Sequence, residues 1–181
     1  MPRGDSDGPS AYYVASGERV PLAPTDEVAV DVSRAEQSDL APQRLASLRR
    51  DGRTVNDGLF LLGNDQLEAS ERASLEQISA LQPVYEAGGA RIIVLPEVRV
   101  EVSGSHQERE LERRVAEGDG TDGGTAQLVE QRPGRYVITM ERGTGDDALS
   151  LANDLAESLH PDLAQARFIR ITDRPDGTVK G

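Results

Sequence analysis

Residues 85–92 read YEAGGARI, and residues 13–20 read YVASGERV. Each segment predicts a strand, a tight glycine-containing turn and a returning strand, with Tyr and Arg in register. A second pair follows downstream, where residues 28–33 read VAVDVS and residues 98–103 read VRVEVS. Apolar and polar side chains alternate there, as they do in a half-buried strand. The offsets of 72 and 70 residues indicate an internal repeat with a two-residue deletion in the linker.

The remainder of the first copy predicts two helices around a strand. A polar stretch at residues 33–50 predicts a helix that begins near Pro42, and residues 58–62 predict a strand. The clearest helix of this half is predicted at residues 66–81. Its apolar residues fall on one face: Leu67, Leu75, Ile78 and Leu81.

The second copy follows a parallel plan. A charged helix is predicted at residues 105–117, with Ser105 as its cap and Glu108 closing a capping box. A hairpin follows, with strands at residues 126–131 and 135–140 and a turn at Pro133-Gly134. The last helix, residues 146–159, is capped by Thr144, and residues 164–171 return as a strand.

Strands separated by helices in this order predict an α+β protein of two tandem ferredoxin-like (split βαβ) units. Their sheets are expected to be antiparallel, with the helices on one face. The predicted organisation is a flexible N-terminus at residues 1–10, repeats at 11–83 and 84–171, and a flexible C-terminal tail at 172–181.

Composition excludes several classes of partner and chemistry. Twenty basic residues stand against 32 acidic ones, a formal net charge of -12, which repels DNA and RNA. The absence of cysteine excludes disulfides, thiolate catalysis and cysteine zinc sites. No signal peptide and no apolar run of membrane-spanning length are visible, so the sequence predicts a cytoplasmic protein without a membrane partner.

Few side chains are suited to catalysis or to holding a cofactor. His106 and His160 lie at helix ends, and no nucleophile-elbow pattern accompanies them. Residues 119–124, with Glu130, fit a calcium loop poorly because Thr and Gly replace two ligand positions. Asp146 and Asp147 repel phosphate from the helix that follows residues 143–145. We therefore expect no catalytic residues, no metal and no cofactor.

The repeated hairpin also carries a family resemblance. Residues 12–22 (YYVASGERVPL) and 28–32 (VAVDV) resemble the start of many bacterial subtilisin-like serine protease precursors. Residues 135–140 (RYVITM), 148–155 (ALSLANDL) and 164–168 (AQARF) are similar to the closing part of their N-terminal prodomains. The resemblance extends over nearly all of residues 12–171.

In that family the prodomain is a ferredoxin-like unit whose sheet packs on the catalytic domain. It acts as chaperone and inhibitor, and its C-terminal tail lies in the substrate cleft. The resemblance implies that residues 168–181 supply this tail. The implied partner-binding residues are Phe168, Arg170, Thr172, Asp173 and Arg174.

Two features depart from the family. The last strand lacks the Glu-Pro-Asn type of ending, and no catalytic Asp, His and Ser motifs follow it. We therefore expect a non-catalytic module that binds a subtilisin-type protease as inhibitor, chaperone or adaptor. The alternative is an interaction scaffold, or an assembly or signalling adaptor, with no protease partner. A third reading, a small hydrolase or transferase, requires a compact pocket around His106 or His160.

Overall fold

A computed structural model describes residues 11–117 and 126–171 of the chain. It confirms the mixed α+β class and the antiparallel strand pairing predicted from the sequence. The predicted termini, residues 1–10 and 172–181, lie outside the described residues. The whole of the predicted loop at residues 119–124 does so as well.

Ten strands and five helices make up the described chain. In chain order they are β1 (Tyr12–Ala15), β2 (Glu18–Pro21), β3 (Ala23–Asp31), α1 (Val32–Ala35), α2 (Pro42–Asp51), β4 (Arg53–Asn56), β5 (Leu59–Gly63), α3 (Ala69–Gln77), β6 (Leu81–Ala87), β7 (Ala90–Glu101), α4 (Ser105–Ala116), β8 (Ala126–Arg132), β9 (Arg135–Met140), α5 (Gly145–Ser158) and β10 (Leu163–Ile171). A short 3-10 turn at Asn64–Gln66 precedes α3.

One eight-stranded sheet joins the two halves, and its strand order repeats. In the first half β4, β5, β3 and β6 are neighbours, and in the second half β8, β9, β7 and β10 are neighbours. Each half thus places its second, third, first and fourth strands in that order. The halves meet where β6 pairs with the first residues of β7. The predicted boundary at residues 83/84 falls within β6, and the division into two repeats stays a prediction.

All three predicted hairpins are present, including that of β8 and β9, and the two of the predicted repeat share one turn geometry. Ser16 and Gly17 connect β1 to β2 with φ of 51° and 81°, and Gly88 and Gly89 connect β6 to β7 with φ of 58° and 78°. Two successive residues with positive φ produce the turn whose twist matches a two-residue hairpin. The glycines carry this conformation without a steric penalty.

The helices pack on one face of the sheet and form two cores. In the first half, Val28, Val30, Phe60 and Leu62 lie in a cluster with α2 and α3. In the second half, alternate residues of β7 and β9 pack against α4 and α5, and Leu111 and Leu155 are fully buried there. Burial of these apolar side chains is the main driving force for folding of each half.

A third cluster lies on the opposite face, and its members all come from strands. Its buried members are Ala29, Leu59, Leu61, Val84 and Ile93, and Val55, Leu95, Ile169 and Ile171 pack against them. Leu59 of β5 lines one groove with Leu95 of β7 and Ile169 of β10, although β5 is paired with neither of these strands. The sheet therefore curls, as twisted sheets do, until β5 faces β7 and β10. We call this cluster the strand-only core.

The β1–β2 hairpin crosses from the first half to the second. Tyr13 meets Phe168 of β10 edge to face, with ring centroids 5.1 Å apart. Glu157 of α5 accepts hydrogen bonds from the Tyr12 hydroxyl at 3.0 Å and from Arg19 Nε at 2.8 Å. The hairpin therefore holds the outer surface of α5, a long-range contact that sequence pattern alone does not predict.

Three local expectations were wrong or incomplete. The predicted helix at residues 66–81 ends earlier, because Ser79 has φ of 55° and Ala80 N bonds back to Leu75 O. Leu81 therefore lies in β6, although it still packs in the cluster predicted for it. The α4 cap is Gly104 and not Ser105, which lies inside the first turn and makes no capping bond. Strand β4 was not predicted.

The start of α5 depends on a glycine in close contact with the sheet. A Cβ on Gly145 would lie 1.9 Å from Val94 O and 3.0 Å from Pro83 Cδ. Gly145→Ala should therefore lower the free energy of unfolding by about 1–3 kcal/mol, as overpacking does. Urea unfolding measures this loss. Gly58→Ala is the control, because its Cβ would make only one ordinary contact at 3.6 Å, and an equal loss in both variants would contradict the steric explanation.

An ion pair between α2 and α3 makes the first half sensitive to acid. Hydrogen bonds from Arg44, with Arg44 Nε 2.5 Å from Glu71 Oε2, lower the pKa of Glu71, and the Glu68 backbone N–H adds to this effect. A carboxyl whose pKa is lower in the folded state stabilises the protein above its unfolded pKa, about 4.3. That stability is lost as the pH falls through the folded pKa.

The free energy of unfolding of wild type should therefore exceed that of Glu71→Gln at pH 6–7. The difference should shrink as the pH falls below about 4.3. Urea titrations at several pH values measure it. Glu36→Gln removes an exposed carboxylate and corrects for the lost charge. A difference that grows with acid would show that the pair does not act in this direction.

Candidate functional site

The second half has a sheet face that no helix of the described chain covers. Residues of β7, β8, β9 and β10 that alternate with the core residues point to this side, because successive side chains in a strand face opposite ways. We call this surface the open face. It consists of Glu97, Arg99, Glu101, Gln127, Val129, Arg135, Val137, Thr139, Leu163, Gln165 and Arg167.

The side of the open face formed by β8 and β9 is apolar in its middle row. Val129 of β8 lies directly opposite Val137 of β9 in the strand register. The Val129 residue is 51% exposed, the one large hydrophobic residue in the described chain that stands out in this way. Its strand neighbour Leu128 packs against the core, so the hairpin is held while Val129 points to solvent. An exposed apolar patch beside polar residues is a common feature of protein-binding surfaces.

The charge of the open face differs from that of the whole chain. Arg135 pairs with Glu101 at 3.3 Å, and Arg167 pairs with Glu97 at 2.9 Å. Arg99 lies exposed between Val137 and Gln165 in the register. Three arginines against two glutamates give this face a net charge of +1, whereas the chain carries -12. The face is therefore a site where a neutral or acidic surface can approach.

Of the partner-binding residues predicted from the family resemblance, the two in the described chain, Phe168 and Arg170, do not lie on this face. Phe168 is half-buried against Tyr13 on the helix side of the sheet. Arg170 is exposed and lies opposite Ile92 in the register, near Gly88. Thr172, Asp173 and Arg174 lie outside the described residues. The structure thus brings Phe168 close to the hairpin and separates both described residues from Val129.

The open face was missed at the level of sequence, although part of its signal was visible. Alternation in β7 predicts one buried and one less buried side, and Arg99 marks the second side. The alternation does not say whether a helix, another sheet or solvent lies there. The exposed position of Val129 depends on the tertiary placement of α4 and α5, which local pattern does not contain.

A polar joint lies on the helix side, where the two halves meet. Arg34 of α1 donates hydrogen bonds to Ser79 O at 2.8 Å, to Met140 O at 2.8 Å and to Gly143 O at 2.7 Å. Asp31 lies 3.7 Å from its Nε atom. One guanidinium therefore links the loop before β6 to the loop before α5, which belong to different halves.

Gln82 makes a second link in the same joint. Its side chain is almost fully buried, and Nε2 donates to Ser79 O at 3.1 Å while Oε1 accepts from Gly145 N at 2.7 Å. The first backbone N–H of α5 is thereby satisfied by the first half. Within the described residues, no buried side-chain nitrogen or oxygen lacks a hydrogen-bond partner. The joint is a closed structural network.

The joint forms the base of a polar cleft of about 820 Å³. Its walls are the loop after α1, the end of α3 and residues Glu141 and Arg142. The Ser38 and Ser79 hydroxyls that line it already donate to Ala35 O and Arg142 O. These hydroxyls and the Arg34 guanidinium are engaged in holding the fold together.

The two histidines considered for catalysis lie on the surface, and the loop considered for metal binding, residues 119–124, lies outside the described residues. His106 and His160 are exposed at the ends of α4 and α5, and Gln107 Nε2 donates to His160 O at 3.0 Å. Among residues 11–117 and 126–171, no three His, Asp or Glu side chains are grouped as metal ligands. None of the helices in the described part has both the length and the apolar character that crossing a bilayer demands.

Comparison with known proteins gives no relative. No protein-family model, no curated protein and no solved structure matches this chain.

The joint predicts a large cost for removing Arg34. Arg34→Ala removes the guanidinium donor from the Met140 and Gly143 carbonyl groups and leaves Ser79 O with Gln82 Nε2 alone, so we expect a loss of about 3 kcal/mol in the free energy of unfolding. Arg34→Lys should recover part of this, since an ammonium cannot reach all three oxygens from one plane. Arg113→Ala is the control, because Arg113 makes several bonds in an exposed ion pair. Equal losses at the two sites, measured by urea unfolding, would contradict the role assigned to the joint.

Proposed function

We propose that each half is a ferredoxin-like unit and that the protein is a prodomain-like, non-catalytic binding module. Its partner is a subtilisin-type serine protease, for which it serves as inhibitor, chaperone or adaptor. The observation that carries the proposal is the open face on the second half, the half whose sequence resembles the closing part of such prodomains.

The order of elements supports the assignment of each half. The first half runs β3, α1 with α2, β4, β5, α3 and β6, and the second runs β7, α4, β8, β9, α5 and β10. Strand, helix, strand, strand, helix, strand is the order of the ferredoxin-like split βαβ motif. Within each half the neighbouring strands are antiparallel, with the first strand next to the fourth.

The position of β10 supports the mode of binding. This strand borders the open face through Leu163, Gln165 and Arg167, and the chain then continues into residues 172–181. A partner that covers the open face therefore lies beside the strand from which those residues emerge. An extended segment that pairs as an added strand is an ordinary way to occupy a protease cleft.

A second candidate is an interaction scaffold with no protease partner. Phe168 favours it, because this residue is engaged with Tyr13 and is not offered to a substrate cleft. The two candidates share the open face and differ in the class of protein that covers it.

Inhibition of a protease distinguishes the two candidates. The purified chain is titrated into extract from its own source, and active serine hydrolases are then labelled with a fluorophosphonate probe. Loss of label on one subtilisin-type protease, repeated with that protease in pure form, supports the proposal. Unchanged labelling of every subtilisin-type protease in the extract favours the scaffold.

The open face can be tested by one substitution. Val129→Arg places a charge in the apolar patch of the open face and should weaken binding of the inhibited protease by about tenfold or more. Its effect on the free energy of unfolding should stay within about 0.5 kcal/mol, because the side chain is exposed. Competition titration against peptide hydrolysis measures the affinity.

The matched control is Ala46→Arg on the exposed side of α2, which adds the same charge away from the face. Equal inhibition constants for Val129→Arg and wild type would remove the open face from the proposal.

A further inference from the structure

The two halves share a strand order but differ in what their helix-free faces do. The 70-residue offset of the repeat aligns Arg99 of β7 with Ala29 of β3. Arg99 is exposed on the open face, whereas Ala29 is 0% exposed in the strand-only core. A guanidinium cannot be buried at the Ala29 position without a charged partner. The same sheet position is therefore a surface in one half and a core in the other.

The helix-free face of the first half packs against the end of β10. Leu59 and Leu61 of β5 belong to the cluster against which Ile169 and Ile171 of β10 pack. On the other side of the same strand, Tyr13 of the hairpin contacts Phe168. Residues of the first half therefore hold both faces of the last residues of β10.

The open face is suited to one kind of partner surface. Its net charge of +1 on a chain of -12 comes from Arg99, since the other two arginines pair with Glu97 and Glu101. An acidic partner surface is repelled by most of the molecule, which carries a net negative charge, and meets a favourable positive charge at this face. The surface that covers Arg99 is therefore neutral to acidic.

From these three observations we infer that the chain has one docking face, on the second half, and that the first half holds the end of β10 in place. We call this role of the first half the brace. One protease is bound per chain through a neutral or acidic patch, and the first half is not a second binding module. The docking part of this inference rests on the proposed function, and the brace does not.

The brace can be tested without any partner. Leu59→Ala removes a side chain of the strand-only core, so the amides of residues 168–171 should exchange hydrogen about tenfold faster or more. The β8–β9 hairpin should keep its exchange rates. Val55→Ala is a milder variant in the same core if Leu59→Ala unfolds. Leu40→Ala, which packs in the helix-side core of the first half, is the control.

Unchanged hydrogen exchange at the amides of residues 168–171 in Leu59→Ala and in Val55→Ala would overturn the brace. If Leu59→Ala and Val55→Ala instead accelerated hydrogen exchange equally in β8, β9 and β10, the brace would also be overturned.

The docking face is tested with a subtilisin-type protease whose catalytic serine is replaced by alanine. Native mass spectrometry should show one protease per chain, and a complex with two would overturn the single face.

Arg99→Glu should weaken binding by about tenfold or more, and Arg50→Glu, an equal charge change on α2, should not. Unchanged or tighter binding of Arg99→Glu overturns the neutral-to-acidic partner surface. Absence of any complex overturns the docking part with the proposed function, while the exchange experiment judges the brace alone.

Discussion

The guanidinium of Arg34 is the constraint on which the rest of the molecule depends. Buried carbonyl oxygens require donors, and here three of them, at Ser79, Met140 and Gly143, share one side chain. Ser79 ends α3 through its positive φ, and Gly143 lies two residues before α5. The same contact therefore sets where a helix of the first half stops and where the main helix of the second half starts. Gln82 completes it by accepting the first N–H of α5.

Much of the local structure could be predicted because its causes lie within a few residues. The two hairpins follow from glycine-containing turns that accept positive φ. The cap of α5 follows from Thr144, which accepts from Asp147 N as expected. The mixed α+β class follows from the alternation of strand and helix patterns. Leu81 was wrongly predicted to lie in a helix, yet it is buried in the core cluster predicted for it, because apolar spacing predicts burial better than it predicts conformation.

The features that decide the candidate site could not be predicted in this way. Short strands such as β4, of which only Val55 is even half-buried, carry little pattern of their own. The contact of Tyr13 with Phe168 joins residues 155 positions apart, and no local rule connects them. Whether Val129 faces solvent or a core depends on which elements cover the sheet. Arg99 was the one residue whose chemistry indicated an exposed side, and Ala29 at the matching position indicated the opposite.

The joint and the strand-only core act on opposite faces of one sheet, and together they hold β7 and β10, two of the four strands of the open face. On the helix side, Arg34 and Gln82 fix the start of α5, which packs over β7 and β10. On the other side, Leu59 and its neighbours hold the ends of β7 and β10. These two strands of the open face are thus fixed from both directions by the first half. A surface ordered before binding loses less conformational entropy when a partner covers it, so under the proposed function the first half would contribute to affinity by holding β7 and β10.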